Sequence, residues 1–554
     1  MNTKYMALVI LIVIMGLGAT LRVWRLGVDG RPLLWDEAAL GYNAYSILKT
    51  GKDEYGIFMP LILKSFGDYK PALYAYAAVL PVGLFGLNEF SVKLPSAVSG
   101  VAIIGLVYLL VSELFDQKNK TIGVFAALIT AINPWLIHFS RGAWEANMNL
   151  MLTLLGILTF LKGRKSSRYL IIAGLAFGLT FFTYQSAKII TPLVVVGLLV
   201  CFRKQIKWRN NPSFLTGSTI FALFLALILL FAQGTSGRLM VYNVFAYQRS
   251  VGEAVSIAAR EGTTINSLQF LFFHGEWLNS TRRFLEGYFS YFSGRFLFFE
   301  GDWTNARLGS PYSGQFYWPD LLLLIIGFAF LIRRPEIPAK GFLLYWLVIS
   351  PLPAALSRDV VTAVRSINFV IPLILIASLG TNSLLLFIRR RSLLLSVSLI
   401  AAITVTYLWG ISYYLDSYFV HAPVTFSDQR LYGYKEAVEL LNQENLENRP
   451  VFFTQKMGQP YIYVLFYNRV DPVSYQSQAK LIASPNGDVG EVHKFENYNF
   501  RNLYWPSDRG IKGTFFVGTE EELPLKDIDR KQAVAVNNIR RPDGSVVFRI
   551  VKTY

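Results

Sequence analysis

The sequence predicts a polytopic α-helical membrane protein carrying a small α/β domain at its C-terminal end. Three observations lead there. Of 554 residues, 53% are hydrophobic and 16% charged, whereas a soluble chain carries about a quarter charged residues. Long apolar runs alternate with short basic punctuation as far as about Leu415, and mean hydropathy is +0.39. Beyond that point the composition turns ordinary.

The formal net charge of +17 raises the question of nucleic acid. The positive charge is concentrated between apolar runs, as in "KGRKSSR" (162–168), "RKQIKWR" (203–209) and "RRR" (389–391). That pattern reports orientation across a bilayer, not a nucleic-acid partner. The single cysteine, Cys201, closes an apolar run and excludes an intrachain disulfide framework. The four histidines are too scattered for a zinc-type cluster. The N-terminal "MNTKYMALVILIVIMGLGAT" has an apolar part longer than a signal h-region and no A-x-A exit, so it reads as a retained first span with Lys4 inside.

A span needs about 20 apolar residues, ~17 at the low end. The runs 5–24, 94–115, 121–139, 145–161, 169–186, 187–202, 214–232, 318–332, 341–357, 367–388 and 393–415 qualify, while 71–86 is short and interrupted by Pro81. Loop charge decides the ambiguous run. With 116–120, 162–168, 203–209, 333–340 and 389–391 all cytoplasmic, the spans alternate without conflict only if 71–86 begins and ends outside. It is then a juxtamembrane element, and about eleven spans leave the N-terminus cytoplasmic and the C-terminal domain extracytoplasmic. The expected division is a membrane module over 1–415 and the α/β domain over 416–554. Outside lie the loops 25–93 and 233–317 and turns at 140–144, near Gln185 and at 358–366.

The first outer loop opens with "RPLLWDEAALGYNAY". Asp36 is expected to N-cap a helix ending before Gly51, with Ala38, Tyr42, Tyr45 and Leu48 facing the bilayer surface. Capping by Asp36 and dipole complementation by Glu37 would explain the two acids without chemistry. The loop adds Asp53 and Glu54, then Asp68 and Lys70, and Lys93 opens the next span. Cations and acids at the membrane edge can hold a phosphate while a proton is removed nearby; the alternative for the two lysines is snorkelling. Arg141 and Glu145 are four apart, so on a helix they share a face as a salt bridge or as part of a site. Tyr184 and Lys188 mark one tight outer turn, and Arg358, Asp359 and Arg365 another. Arginines on the outer side run against the charge rule, and an anionic ligand at the outer leaflet gives them a reason. "YFSYFSGRFLFFEGDW" offers walls for a sugar or isoprenoid, but an aromatic belt explains it more simply, which sets Arg295 and Asp302 behind the others. The chain carries no Gly-rich phosphate loop, GxSxG or HExxH motif, so substrates should come from the membrane or from outside.

"WDEAALGYNAY" resembles the acidic motif in the first external loop of GT-C glycosyltransferases. "GDYKPALYAYAAVLPVGLFGLNEFSVKLPSAVSG" resembles the protein O-mannosyltransferase and ArnT-like group, whose pattern runs Lys-Pro-Pro-Leu, aromatic residues, then Arg-Leu-Pro-Ser-Ala. Here Ala72 replaces the second proline and Lys93 the arginine, which removes a bidentate phosphate ligand. "SRGAWEANMNL" is similar to that group's Ser-Arg…acid turn. The likeness covers roughly 20–190, loosens toward 415 and is absent from the tail.

The resemblance implies transfer of a sugar, usually with inversion, from a polyprenyl-phosphate-sugar donor to a hydroxyl-bearing acceptor. It implies Asp36 as base, Glu37 as its assistant or orienter, and Lys70 on the donor phosphate, with Lys93 and Arg141 as lesser candidates; charge alone adds Arg365 as a cation that could hold the departing phosphate. A divalent metal could bridge carboxylate and phosphate oxygens; Asp36 and Glu37 would hold it. The rival class is a transporter or flippase of lipid-linked sugars, or a scaffold, for which Asp36→Asn would be harmless. The tail shows a helix pattern in "GYKEAVELLNQENL" and strand patterns in "PVFFTQ", "GTFFVGT" and "GSVVFRIV". Acceptor binding is its expected role, with deletion sparing donor binding.

Overall fold

The computed structural model describes residues 3–66, 68–115, 120–205, 211–232, 243–246, 249–334, 337, 339–444, 449–478, 480–482 and 490–554. The basic stretches 203–209 and 333–340 and the outer loop 233–317 lie partly outside these, and 116–119 wholly so.

The apolar runs fold as helices, the structure that satisfies every backbone group where water is absent. In order they are α1 (Thr3–Val23), α2 (Trp35–Thr50), α3 (Leu73–Phe85), α4 (Glu89–Leu114), α5 (Lys120–Ile132), α6 (Pro134–Ser140), α7 (Glu145–Gly163), α8 (Tyr169–Thr180), α9 (Ala187–Phe202) and α10 (Pro212–Ala232). Further apolar helices cover Trp318–Arg333, Lys340–Ile349, Val370–Ile388 and Leu393–Asp416. Among the described residues six helices are long and apolar enough to cross a membrane, or seven if the bent pair α5–α6 counts as one. The chain is thus a multi-pass membrane protein.

Every expected span coincides with a helix or helix pair, but the expected count of eleven exceeds this. The apolar run 169–186 becomes a helix of only 12 residues, because 181–183 turn, and Pro351 interrupts the run 341–357. The runs 187–202 and 318–332 give helices of 16 residues each. Counting apolar residues credits such turns and breaks to the span. α3, at 13 residues, extends about 20 Å, short of a hydrocarbon core of about 30 Å.

The chain divides into two compact units. One comprises Met1–Gly18, Val101–His138 and Asn149–Ser412. Inside it Trp318–Arg333 packs closely along Val370–Ile388. A Cβ on Gly327 would lie 2.0 Å from the Ile376 carbonyl oxygen, and one on Gly380 1.9 Å from that of Leu323. Small residues permit this backbone approach, which supplies the dispersion contact that helices in lipid rely on. α5 and α6 meet at 56° at Asn133–Pro134. Proline removes a helical donor there, and Tyr317 donates to the Ile132 carbonyl at 2.7 Å.

The other unit comprises Ala19–Gly100, Phe139–Met148 and Tyr413–Tyr554. The tail therefore clusters with the first loop. A hairpin, β1 (Ile62–Ser65) with β2 (Asp68–Pro71), projects from the first loop, pairing Leu63 with Lys70. The tail holds β3 (Val451–Phe453), β4 (Leu481–Ile482), β5 (Glu491–Val492), β6 (Lys494–Phe495), β7 (Tyr498–Phe500), β8 (Phe515–Gly518), β9 (Ala533–Arg540) and β10 (Val546–Thr553). Six form one mixed sheet in the order β6-β7-β3-β8-β10-β9, with β3 parallel to both neighbours. The three stretches read as strands are β3, β8 and β10, and the predicted helix is Tyr434–Gln443. Two short tail helices, Pro460–Tyr467 and Pro472–Gln478, pack against α2.

Candidate active site

α2 carries the acidic pair, and its start differs from expectation. The N-cap is Leu34, so Asp36 sits in the first turn and not at the cap. Glu37 closes that turn, its Oε2 accepting the Leu34 N–H at 2.9 Å while Oε1 accepts the Ala143 N–H at 2.6 Å. Glu37 thereby ties α2 to the 140–144 turn and is buried. The helix ends at Gly51 (φ 70°), as expected. Of the four residues expected to face the bilayer surface, Ala38 and Tyr42 are instead fully buried, the Tyr42 hydroxyl donating to the Val470 carbonyl at 3.2 Å, while Tyr45 is half-buried and Leu48 exposed. The buried part of that face packs against the tail.

Asp36 faces outward, its side chain 50% exposed. Its partner is Lys70, which forms an ion pair with it while its own side chain is 10% exposed. Lys70 sits on β2, and its ammonium also lies 5.3 Å from the Phe66 ring. The hairpin is pinned by the tail: Gly490 donates to the Phe66 carbonyl at 2.5 Å, and Gln459 Nε2 donates to the Gly490 carbonyl at 3.1 Å. The neighbouring Gly458 (φ 121°) passes so near Trp35 that a Cβ would lie 2.3 Å from its ring. The tail thus supports both residues of the Asp36–Lys70 pair. Sequence reasoning had no means to find Gly458 or Gln459, whose partners lie hundreds of positions away.

Behind this pair lies a second layer. Asp53 is fully buried, accepts the Tyr55 and Ile57 N–H groups at 3.0 and 2.9 Å, and is pushed above the usual carboxylate range by burial. Glu54 is fully buried as well, and burial raises its carboxyl to about 8. The backbone of Asp68 belongs to β2; its side chain lies outside the described residues.

The other expected phosphate ligands of this unit are engaged in structure. Arg141 Nη1 donates to the Leu21 and Trp24 carbonyls at 3.0 and 2.9 Å, and Nη2 pairs with Asp29 at 2.9 Å. Both Arg141 and Asp29 are buried. Arg141 lies before α7 and not on it, so its ion-pair partner is Asp29 and the expected pairing with Glu145, which opens α7, is corrected. Burial alone would raise the Asp29 carboxyl, but Lys93, Arg31 and Arg141 outweigh it and hold it below its usual value. Asp29 escaped sequence reasoning because nothing in "GVDG" marks a buried ion pair. Lys93, also buried, donates to the Arg31 carbonyl at 3.0 Å and lies 3.8 Å from Glu89.

Arg358, Arg365, Tyr184 and Lys188 belong to the other unit. Arg365 pairs with Asp359 at 2.6 Å; burial would lower its basicity, and Tyr184 and Asp359 hold it up. Arg358 is exposed and Lys188 half-buried. Asp302 is a structural acid that accepts the Ala363 N–H at 2.7 Å and the Asn305 N–H at 3.1 Å, and burial lifts it to about 6. Arg295 pairs with Glu300 at 2.7 Å.

Asp36 and Glu37, the pair expected to hold any divalent metal, are engaged by other groups here. Both Glu37 oxygens face backbone donors, and Asp36 faces an ammonium. Among the described residues no three His, Cys, Asp or Glu side chains group to hold an ion.

Residues 69–230 match the family model described as "Dolichyl-phosphate-mannose-protein mannosyltransferase". The matched stretch contains Lys70, Lys93 and Arg141 but begins after Asp36. Among solved structures, the chain is similar to ArnT from Cupriavidus metallidurans bound to undecaprenyl phosphate, at 13% identity and a TM-score of 0.54 over 100% of this chain and 98% of that one. The apo state of the same protein gives 12% identity and 0.53 over the same shares. A looser likeness, at 13% identity and 0.49 over 84% of this chain and 64% of that one, is to the oligosaccharyltransferase AglB from Archaeoglobus fulgidus in complex with an inhibitory peptide and a dolichol-phosphate. No curated protein sequence matches the chain. The resemblance read from the Lys70–Lys93 stretch is thus found again in the family model over part of the chain, and the fold is similar to that of ArnT over all of it; "WDEAALGYNAY" lies before the matched residues.

Proposed function

We propose that this chain is a membrane glycosyltransferase that moves a sugar from a polyprenyl-phosphate-linked donor to a hydroxyl acceptor on the outer face of the membrane, with inversion. The observation that carries this reading is the half-exposed Asp36 carboxylate paired with the largely buried Lys70. Asp36 is within reach of an incoming hydroxyl and removes its proton as the oxygen attacks the anomeric carbon. The sugar–phosphate C–O bond breaks, and the lipid phosphodiester becomes a monoester approaching two negative charges. Lys70 holds that growing charge more strongly in the transition state than in the reactant, which is what accelerates the step. Glu37 fixes the turn from which Asp36 projects and is a positioning residue.

Eleven crossings remain our topology, with the N-terminus inside. Support comes from the composition of the second unit: the first loop, Phe139–Met148 and the tail cluster together, and all three are segments that loop charge puts on one side. ArnT was solved with undecaprenyl phosphate, and a donor carried on such a lipid suits a lysine at the membrane edge. The tail's contacts with Trp35 and the hairpin support a role for it in acceptor binding.

The test is mass spectrometry of membranes and surface glycans from cells with and without the gene. Transfer predicts an accumulating lipid-phosphate sugar and a sugar missing from one acceptor. Unchanged profiles, or a lipid-phosphate sugar confined to the inner leaflet, would favour no transfer or transport instead.

A further inference from the structure

We propose a second ligand site, apart from the transfer machinery, that holds a group bearing both a phosphate and an ammonium, the chemistry of an ethanolamine phospholipid head. It lies in the unit that contains the first loop and the tail. A cavity of about 320 Å³ opens there, a size at the lower end of small-molecule sites. Residues 26–28, just past the end of α1, form one wall, and residues 87–90, at the start of α4, form another. The tail supplies the rest: Lys435 and Glu439 from the helix Tyr434–Gln443, then Phe466, Tyr467 and Arg469. The walls of α1 and α4 meet closely, since a Cβ on Gly27 would lie 2.8 Å from the Phe90 nitrogen. Both helices are long and apolar enough to cross a membrane. Their adjoining ends therefore lie at the boundary between hydrocarbon and water, where a phospholipid has its head.

Four of the lining side chains are charged, two of each sign. Glu89 is buried and already answered: its Oε1 accepts from Lys435 Nζ at 3.2 Å and from the Tyr467 hydroxyl at 3.1 Å. Lys435 is 37% exposed, and its ammonium has further donors to offer. Arg469 is exposed, and its guanidinium has no hydrogen-bond or ion-pair partner among the described residues. Its backbone is left-handed (φ 50°) just past the helix Pro460–Tyr467, a position where glycine or asparagine is the usual choice. An arginine held there presents a fork that fits phosphate oxygens. Glu439 is exposed and lies one helical turn from Lys435 on the same face. A bare anion would meet Glu439 as well as the two cations. A phosphate with an ammonium two carbons away satisfies both signs, the phosphate at Arg469 and Lys435 and the ammonium at Glu439. Apolar surface continues from the cavity: Phe90 packs edge to face with Phe85 at 5.5 Å, and Phe85, Leu84 and Val28 are all more than half exposed. Acyl chains can follow those side chains while the head occupies the cavity.

The test titrates the full-length chain in detergent with phosphatidylethanolamine, with phosphatidylglycerol, which has the phosphate but no ammonium, and with soluble glycerophosphoethanolamine. Native mass spectrometry reads the bound molecules, and melting temperature reads folding. Wild type should bind the ethanolamine lipid about tenfold more tightly than the glycerol lipid. Arg469→Asn should weaken the ethanolamine lipid by about tenfold, the loss expected for a charged hydrogen bond. Glu439→Gln should erase the preference between the two lipids. Asparagine suits the left-handed position, so Arg469→Asn should melt like wild type without ligand; if it does not, Arg469→Gly, which that backbone cannot strain, takes its place. Glycerophosphoethanolamine binding as tightly as the lipid supports the site with a soluble phospho-amine as its source, and binding of the lipid alone supports it with the membrane as source. Equal wild-type affinity for the two lipids, an Arg469 variant that binds like wild type, or no binding of any of the three overturns the inference. The transfer reading stands or falls separately, since neither Asp36 nor Lys70 lines this cavity.

Discussion

Lys70 pairs with Asp36, whose side chain is half exposed, and not with the adjacent Glu37, which is buried against backbone donors. Adjacent acids on one helix turn thus have separate tasks. Replacing the base but keeping its shape should stop transfer and spare the phosphate site. Asp36→Asn is expected to lower turnover by about 10²–10⁴-fold while undecaprenyl phosphate binds at least as well, because the lysine loses a competitor. Labelled-sugar transfer and lipid binding on the same preparation check this. Full turnover in the variant would leave the base assignment without support.

Glu37 should behave as a structural acid. Glu37→Ala strands the Leu34 and Ala143 N–H groups in a buried turn, at a cost of about 1–3 kcal/mol for each. Glu37→Gln keeps an acceptor for one of them and should recover part of the loss. Thermal melting of both variants decides; a Glu37→Ala protein that melts like wild type yet fails in transfer would make Glu37 a chemical participant.

Most of this division could not be read from the sequence. The pattern located α2, its Gly51 end and the tail strands β3, β8 and β10, though not β9, because helical period, glycine at a cap and apolar alternation are local signals. It also put Asp36 and Lys70 in one loop. It could not show that Glu37 would meet Ala143, that Arg141 would choose Asp29 over Glu145, or that Gly458 would lie against Trp35. Those choices depend on chain crossings remote in sequence. The short helices found in some expected spans have a related cause: hydropathy sees apolar residues in 181–183 but not the turn they make.

The buried Glu54 should imprint a pH dependence on stability. Its folded value of about 8 lies above the ordinary 4.5. Between those limits the unfolded chain has released a proton that the folded chain retains, so stability falls as pH rises from about 4.5 to about 8 and levels off beyond. The total is of the order of a few kcal/mol. Glu54→Gln should therefore match wild type in melting temperature near pH 5 and exceed it near pH 9. A deficit that widens with pH would contradict the burial of an uncharged acid.

Gly458 allows the tail to pass Trp35. Gly458→Ala adds a methyl at φ 121° and 2.3 Å from the indole, which should cost about 1–3 kcal/mol and shift the Trp35 environment. Trimming the partner ought to relieve part of it, so Gly458→Ala with Trp35→Leu should be less destabilised than the two single changes summed. Additive melting shifts would mean that backbone strain, and not the indole contact, sets the cost.

Arg141 offers the sharpest choice between structure and ligand. As a phosphate ligand it would be replaceable at the expense of donor affinity alone. Its geometry argues otherwise, since the buried guanidinium binds two carbonyls at the end of α1 and neutralises the buried Asp29. Removing one partner of such a pair leaves a charge with no water to receive it, at about 3–5 kcal/mol. Arg141→Met should accordingly melt far below wild type. Arg141→Met with Asp29→Asn removes the stranded charge and should regain much of the loss, although the Leu21 and Trp24 carbonyls stay unpaired. In whichever variant folds, undecaprenyl phosphate affinity should remain within about threefold of wild type. A folded Arg141→Met protein with normal melting and a donor affinity reduced by tenfold or more would return Arg141 to the phosphate site and leave Asp29 as its second-rank partner.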